Sequence, residues 1–260
     1  MKNIIVAVDF TESANNAARY AADMASAMGA ELYLVHVLDL PAVPREVPIP
    51  DYVLDEIREG GYNGLKDLAE ELKERTGNTI HIDTDQETGA IERGVKDFCQ
   101  WKHPFLVVRG ASQTGNPVIE RLPFPLLTVP AAASYHAIRH IVLACDAEDI
   151  NAGFPIPVDF LRQLSEILGA RYEVLHIAGK EEEKAVLSFQ EWQSTVQDLF
   201  PELHFLRAPS VEEGIKDYTA HHPADWLVVF PKKGGLFHLH KGLSSSIVLH
   251  CPMPVMSIRE

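Results

Sequence analysis

The 260-residue sequence has few cysteines and no long hydrophobic run. Cys99, Cys145 and Cys251 are too few and too far apart for a disulfide framework or a CxxC metal site, so we interpret them as small buried hydrophobic residues. No apolar run approaches the ~20 residues of a membrane-spanning helix, and the amino-terminal residues enter a strand pattern without the apolar segment of a signal peptide. We therefore expect a soluble, cytoplasmic protein.

Basic residues are also scarce. The 23 Lys and Arg stand against 37 Asp and Glu, which gives a formal net charge of −14. Such a negative field repels phosphate backbones and anionic lipid, so we expect no nucleic-acid binding and no membrane binding. Because 46% of the residues are hydrophobic, the chain has enough apolar surface to fold, which excludes disorder for most of its length.

The sequence repeats itself. Ile4–Asp9 matches Ile141–Asp146, since both are short apolar runs that end in an acidic residue. Further matches follow in the same order in both halves, which indicates two copies of one domain. We predict one domain over residues 1–132 and a second over residues 138–260. The further matches pair residues 28–36 with 168–176, 92–98 with 212–218, 106–108 with 227–229, and 125–129 with 254–258.

Each copy alternates buried strands with helices. The strands are nearly continuous runs of Val, Ile and Leu, which is typical of a parallel sheet covered by helices. The predicted fold is α/β: two tandem doubly wound parallel five-stranded sheets with helices on both faces. We predict strands over 3–9, 31–37, 79–84, 105–108, 126–129, 140–145, 171–177, 203–206, 226–230 and 254–258. We predict helices over 13–28, 52–75 (with a candidate break at Gly60–Gly61), 89–100, 117–122, 158–168, 181–199, 211–221 and 243–250.

Ligands of an open parallel sheet bind beyond the carboxyl ends of the strands, where the strand order reverses. Two loops of each copy should meet there, the loop after the first strand and the loop after the fourth. In the first copy these loops begin at Asp9 and at Gly110, and in the second copy at Asp146 and near Lys232. These loops therefore contain the candidate binding residues.

These features resemble the universal stress protein family in its tandem two-domain form, over essentially the whole chain. The resemblance is carried by Asp9 and Asp146 at the strand ends, by the Gly-Ala blocks that end in His36 and His176, by the two Glu-x-Gly helices and by the terminal Pro-strand segments. It implies an adenine nucleotide alpha hydrolase-like fold and a role in stress response. It also implies that the two domains pair within the chain through their fifth strands, and that the protein could form a homodimer.

The family contains members that bind ATP and members that do not. In the binding members, the acid after the first strand and a residue at the end of the second strand hold the adenosine. A Gly-x2-Gly-x9-Gly-Ser/Thr loop after the fourth strand wraps the phosphates. Carried over to this sequence, the adenosine positions are Asp9 and Val37 in the first copy, and Asp146 and Ile177 in the second.

Both copies depart from the family's phosphate loop. In the first copy only Gly110 fits, and the distance to Pro125 is too short for the full loop. In the second copy the glycine positions correspond approximately to Phe230, Lys233 and either Lys241 or Gly242, with Ser244 or Ser245 as the hydroxyl residue. A Phe or Lys side chain at such a position obstructs the approach of a phosphate. An anion could still bind at a helix start there. The candidate residues for such a site are Lys232, Lys233, Gly234, Gly235, Lys241, Gly242, Ser244, Ser245 and Ser246.

The sequence predicts neither a metal site nor a catalytic site. Of the 12 histidines, 8 lie in the second copy, but no HExxH or Cys-His spacing supplies zinc ligands. Asn116-Pro117 follows Gly110-x4-Gly115 where a Walker loop has Lys-Ser/Thr, so that segment is interpreted as a helix start. Asp9 and Asp146 lack a nucleophile or acid partner in their own motifs, which favours a capping or ligand-binding role.

The predicted function is a non-catalytic, cytoplasmic, stress-responsive binding or regulatory protein with degenerate nucleotide sites, no cofactor and an unidentified protein partner. One alternative is an ATP-binding protein with slow or no hydrolysis, whose site lies in the second copy. A second alternative is a nucleotide- or flavin-dependent enzyme on the same scaffold. Submicromolar binding of ATP would favour the first alternative, and a yellow preparation would favour the second.

Overall fold

A computed structural model describes residues 2–39, 50–111, 122–144, 157–178, 198–199, 202–230 and 251–258. Contacts between residues group the chain into two compact units, residues 1–135 (unit 1) and 136–260 (unit 2). The domain boundaries predicted from sequence, 1–132 and 138–260, lie close to this division. Each unit contains one copy of the repeat.

Unit 1 contains a parallel sheet of five strands in the order β3-β2-β1-β4-β5. The order reverses between β1 and β4, which is the arrangement of a doubly wound sheet. The elements are β1 (Asn3–Val8), α1 (Glu12–Met28), β2 (Glu31–Leu38), α2 (Asp51–Arg75), β3 (Ile82–Thr88), α3 (Ile91–Lys102), β4 (Leu106–Gly110) and β5 (Leu126–Val129).

Unit 2 repeats this topology, with parallel strands in the order β8-β7-β6-β9-β10. Its described elements are β6 (His140–Ala144), α4 (Val158–Leu168), β7 (Arg171–Ala178), β8 (Glu202–Arg207), α5 (Val211–His221), β9 (Trp226–Val229) and β10 (Val255–Ser257). The predicted α/β class and the predicted parallel strands are therefore confirmed in both units.

Helices cover both faces of the unit 1 sheet because successive strand residues point to opposite sides. Ile5 and Val107 face α3, where they pack in one buried cluster with Val95 and Phe98. Ile4, the neighbour of Ile5, is also fully buried, and helix α1 contacts β1 and β4. Each central strand therefore buries both of its faces, which explains its continuous hydrophobic sequence.

Helix α1 ends at the predicted residue and begins one residue before the predicted start at 13. The Thr11 side chain accepts a hydrogen bond from the Ala14 amide, which satisfies one of the free amides of the first turn. Gly29 ends the helix in the left-handed conformation, with φ 61°. The face of α1 toward the sheet is rich in alanine, so its backbone can lie close to β1 and β4. The start of α1 is thereby fixed at the carboxyl end of the sheet.

Several predicted boundaries are wrong. β3 spans Ile82–Thr88 rather than 79–84, because backbone pairing with β2 extends into the polar residues of this edge strand. Helix α2 runs unbroken through Gly60–Gly61, since Gly61 packs so closely on the sheet that a Cβ there would be 3.2 Å from His36 Cδ2. The helices predicted over 117–122, 181–199 and 243–250 lie almost wholly outside the described residues.

Cys99 is fully buried, and burial raises the pKa of its thiol to about 12. This environment agrees with its interpretation as a small hydrophobic residue. Cys251 is partly buried and is not in a disulfide, while Cys145 lies outside the described residues. Among the helices that the structure describes, none combines the length and the apolar character that a membrane crossing requires.

Candidate functional site

Three of the predicted site residues come together at the carboxyl edge of unit 1. Val8, the last residue of β1, pairs with His36, so Asp9 follows β1 at the level of Val37 on β2. The register between β1 and β4 places Gly110 level with Val8. Asp9, Val37 and Gly110 therefore lie at the ends of three neighbouring strands, around the point where the strand order reverses.

Asp9 is exposed and belongs to the start of helix α1. Its Oδ1 accepts hydrogen bonds from the Thr11 amide, at 3.0 Å, and from the Thr11 hydroxyl, at 2.6 Å. Phe10 between them adopts the left-handed conformation, with φ 60°. Both bonds use one carboxylate oxygen, so Oδ2 is the atom of Asp9 that could accept a bond from a ligand hydroxyl.

Val37 presents its backbone to the same edge. The Leu38 carbonyl accepts from the Gly89 amide at the β3 side. Because successive carbonyls of a strand alternate in direction, the Val37 carbonyl faces the side where β1 has ended. Its side chain instead packs beneath α3, where a Cβ on Gly94 would come within 2.9 Å of Val37 Cγ2.

The same contact recurs in unit 2. A Cβ on Gly214 would come within 2.8 Å of Ile177 Cδ1, at the equivalent position of β7. The glycine shared by the two Glu-x-Gly blocks therefore has a packing function: it lets the following helix approach the end of the second strand. Ile177 is the only one of the predicted site residues in unit 2 that the described part of the chain contains.

Packing also explains why a glycine occupies position 110. A Cβ at this position would lie 2.5 Å from both the carbonyl carbon and the carbonyl oxygen of Ser13. The Ser13 hydroxyl donates to the Ala111 carbonyl at 2.8 Å, so the first turn of α1 is bonded to the end of β4. The glycine is explained by this close approach of α1 alone, without a bound phosphate.

Unit 2 has Phe230 at the position of Gly110. β1 pairs Ile4 with Leu106, and β6 pairs Ile141 with Trp226, so Leu106 corresponds to Trp226. The sequence match of Leu106 with Leu227 is therefore wrong by one residue. Phe230 is only 3% exposed, so a buried aromatic side chain follows β9 where the family pattern requires a glycine.

The segment between β4 and β5 is anchored at both ends in unit 1. The Ala111 amide donates to the Val129 carbonyl at 2.8 Å. At the other end, Leu122 is 2% exposed and Phe124 packs against the same hydrophobic cluster as α3. Counted from Gly110, the family loop would place its last glycine and its hydroxyl residue at Pro123 and Phe124. Those positions belong to the packed end of the segment instead.

The comparison with known protein families agrees with this architecture. The model of the universal stress protein family matches residues 1–125. Unit 1 therefore belongs to the universal stress protein family. No curated protein matches the sequence.

Solved structures of similar proteins share the fold of this chain, and their alignments cover nearly all of it. A universal stress protein from Archaeoglobus fulgidus is 14% identical, covers 99% of this chain and 98% of its own, and has a TM-score of 0.74. A putative universal stress protein from Pseudomonas aeruginosa is 14% identical, covers 100% and 93%, and has a TM-score of 0.63. At these identities the likeness establishes the fold alone.

The other predicted site residues, all in unit 2, lie outside the described residues. Their arrangement as an anion site stays a prediction. They are Asp146, Lys232, Lys233, Gly234, Gly235, Lys241, Gly242, Ser244, Ser245 and Ser246.

Sequence reasoning missed one cluster of potential ligands. Glu173, Glu202 and His204 of unit 2 each offer a ligand atom, and these atoms lie within 4.8 Å of one another. The cluster lies at the amino-terminal ends of β7 and β8, opposite the carboxyl edge. The spacing along the chain contains no signal for it, because the register between two strands brings the residues together.

Proposed function

We propose that this universal stress protein is a non-catalytic binding or regulatory protein of the stress response in which both nucleotide sites are degenerate. The observation that carries the proposal is the packing of Leu122 and Phe124 into the core of unit 1. This packing removes the end of the β4–β5 segment from the carboxyl edge, where a phosphate loop would have to lie.

Unit 1 retains the adenosine half of the family site but not the phosphate half. Asp9 Oδ2 and the backbone of Val37 face the edge. The segment that remains between Ala111 and Leu122 is shorter than the Gly-x2-Gly-x9-Gly-Ser loop. A triphosphate at this edge would therefore have fewer backbone amides available than the full family loop supplies.

Unit 2 has a different defect. Phe230 takes the place of the first loop glycine and is buried. A Phe residue restricts the backbone at a position where the family loop relies on the conformational freedom of glycine. Any adenine nucleotide held by unit 2 would therefore depend on Asp146, on Ile177 and on the charged and hydroxyl residues after Phe230.

The absence of catalysis is proposed from the geometry around Asp9. A carboxylate beside a hydroxyl could form a general base and a nucleophile. Here the Thr11 hydroxyl donates to Asp9 and accepts from the Ala14 amide at 3.2 Å, so it caps α1 with both of its functions. The contact between Asp9 and Thr11 is therefore explained by the capping of α1.

Equilibrium dialysis of the full chain against labelled ATP tests the proposal. We expect weaker than submicromolar binding and no more than one ATP per chain. We expect Asp146→Asn to reduce any binding and the matched variant Asp9→Asn to leave it unchanged. Submicromolar binding, or two ATP molecules per chain with Asp9→Asn removing one, would overturn the proposal. Circular dichroism of each variant confirms that it is folded.

A further inference from the structure

The cluster at the amino-terminal ends of β7 and β8 brings two carboxylates side by side. Glu173 pairs with Glu202 in the β7–β8 register. His204 lies two residues beyond Glu202 on the same strand, so it points to the same face of the sheet. Its Nε2 is 3.7 Å from Glu202 Oε2 and 4.0 Å from Glu173 Oε2.

The two carboxylates need a cation. Like charges directly opposite each other on neighbouring strands are destabilising, and the side chain of Glu173 is only 9% exposed. The Tyr218 hydroxyl donates to Glu173 Oε2 at 3.0 Å, which orients that carboxylate but adds no charge. Two carboxylates therefore lie close together in a partly desolvated environment.

His204 does not satisfy the carboxylates by direct hydrogen bonds. Its distances to both of them exceed the length of an N–H···O bond. The Nε2 atom is buried and has no hydrogen-bond partner within the described part of the chain. Instead, His204 Nε2 and one oxygen of each carboxylate lie around a common space.

The neighbouring basic groups are engaged elsewhere. The Arg171 side chain donates to His140 Nδ1 at 3.0 Å, so the lone pair of that nitrogen faces the arginine rather than Glu173. The His222 ring stacks on the Tyr218 ring, with centroids 4.0 Å apart and planes 8° apart. His140 Nδ1 also lies 3.7 Å from Glu173 Oε1, which exceeds the length of a hydrogen bond, so among the described residues neither histidine donates a hydrogen bond to the carboxylate pair.

We propose that Glu173, Glu202 and His204 bind a divalent metal ion of the zinc class, with water completing the coordination. One imidazole and two carboxylates are ligands that Zn²⁺ accepts. Bonds of about 2.0–2.2 Å to a tetrahedral ion place its ligands roughly 3.4 Å apart. The three ligand atoms lie within 4.8 Å of one another, so small side-chain rotations bring them to this separation. The hydrogen bond from Tyr218 fixes the orientation of Glu173 toward the ion.

Unit 1 supplies the comparison that favours an external ion. The strand registers place Tyr33 at the position of Glu173, and Asp85 at the position of His204. Lys102 occupies the position of His222, and its ammonium lies 4.2 Å from the centre of the Tyr33 ring. Unit 1 therefore has a neutral phenol where unit 2 has the Glu173 carboxylate, and an ammonium where unit 2 has the His222 imidazole.

Titration of Zn²⁺ into the metal-free full chain, in competition with a chromophoric chelator, tests the site. We expect one Zn²⁺ per chain at this site, with affinity at least tenfold lower in His204→Gln and in Glu202→Gln. Glu202 is half exposed, so its variant keeps the core intact. His221→Gln is the matched control, because its side chain is 71% exposed on α5 and lies outside the cluster.

Thermal unfolding gives a second measurement that does not depend on activity. Zn²⁺ should raise the melting temperature of the wild type and of His221→Gln, but not that of His204→Gln. The absence of stoichiometric binding would overturn the proposal. Binding that survives in both His204→Gln and Glu202→Gln would overturn it as well, because the ion would then lie on other residues of the chain.

Discussion

Units 1 and 2 have the same strand order, but their side chains differ at both ends of the sheet. At the carboxyl edge, unit 1 has Gly110 in contact with α1, and unit 2 has the buried Phe230. At the amino-terminal ends, unit 1 has Tyr33 beside Lys102, and unit 2 has Glu173 beside His204. The backbone register of a parallel sheet can therefore persist after duplication while the residues at its ends change their chemistry.

The comparison teaches that equivalent positions need not have equivalent functions. Val37 and Ile177 make the same contact with a glycine of the following helix, so this part of the architecture is common to both units. The residues that could contact ligands have no such constraint, because the backbone hydrogen bonds of the strands do not depend on them. Substitution of equivalent residues in the two units can therefore show which positions contribute to packing and which contribute to binding.

The largest effect is expected for Phe230→Ala in unit 2. Removal of a buried phenylalanine leaves a cavity, and we expect a loss of about 4 kcal/mol in the free energy of unfolding. Urea denaturation measures it. Tyr52→Ala serves as the control, since Tyr52 is 72% exposed and should be nearly neutral. A loss below about 1 kcal/mol would show that Phe230 is not a core residue.

Gly110→Ala in unit 1 should have the next largest effect. The added methyl group overlaps the Ser13 backbone, so we expect a loss of about 2 kcal/mol as α1 shifts away from β4. The matched variant is Gly60→Ala, where a Cβ meets nothing within 4 Å and helix propensity predicts a gain of about 0.5–1 kcal/mol. Equal effects of the two variants on urea denaturation would contradict the packing role of Gly110.

Removal of one tyrosine hydroxyl from each unit sharpens the comparison at the amino-terminal ends. Tyr218→Phe leaves the buried Glu173 carboxylate without its donor, and we expect a loss of about 1.5 kcal/mol. Tyr33→Phe removes a bond of 2.7 Å to the more exposed Glu31, and we expect about 0.5 kcal/mol. Chemical denaturation measures the free energy of unfolding of both variants. A larger loss in Tyr33→Phe than in Tyr218→Phe would contradict this prediction.

The smallest effect is a change in titration. The hydrogen bond to Glu31, together with burial, raises the pKa of Tyr33 from 10.0 to about 12. The folded state therefore favours the neutral phenol. The resulting stabilisation is complete below the unfolded pKa near 10 and is lost as the pH rises toward 12. Phenolate absorbance should show one group titrating near pH 12 that disappears in Tyr33→Phe, and an unchanged titration curve would refute the assignment.

Much of the fold could be predicted because it depends on local pattern. The runs of Val, Ile and Leu predicted the buried strands, and the helix predicted over 13–28 differs from α1 by one residue. The position of Asp9 and Val37 at one edge followed from the parallel topology. These features are determined by hydrophobic periodicity and capping, which act over a few residues.

The missed features all depend on contacts between distant residues. Helix α2 continues through Gly61 because tertiary packing on the sheet compensates for the low helix propensity of glycine. The correspondence of Leu106 with Trp226 follows from hydrogen-bond register, which a match of similar letters does not encode. The expectation of no metal site stays a prediction; it considered spacing along the chain and not the proximity of Glu173, Glu202 and His204 across two paired strands.

The sequence by itself determined the duplication, the α/β class and the edge at which a nucleotide site would lie, because hydrophobic pattern fixes which elements form and parallel topology fixes where their ends meet. The tertiary structure decided which side chains meet across the strands. It placed α1 against Gly110, the end of the β4–β5 segment in the core, and Glu173 beside Glu202 and His204. These outcomes depend on strand register and helix packing, which residues far apart in the chain determine together.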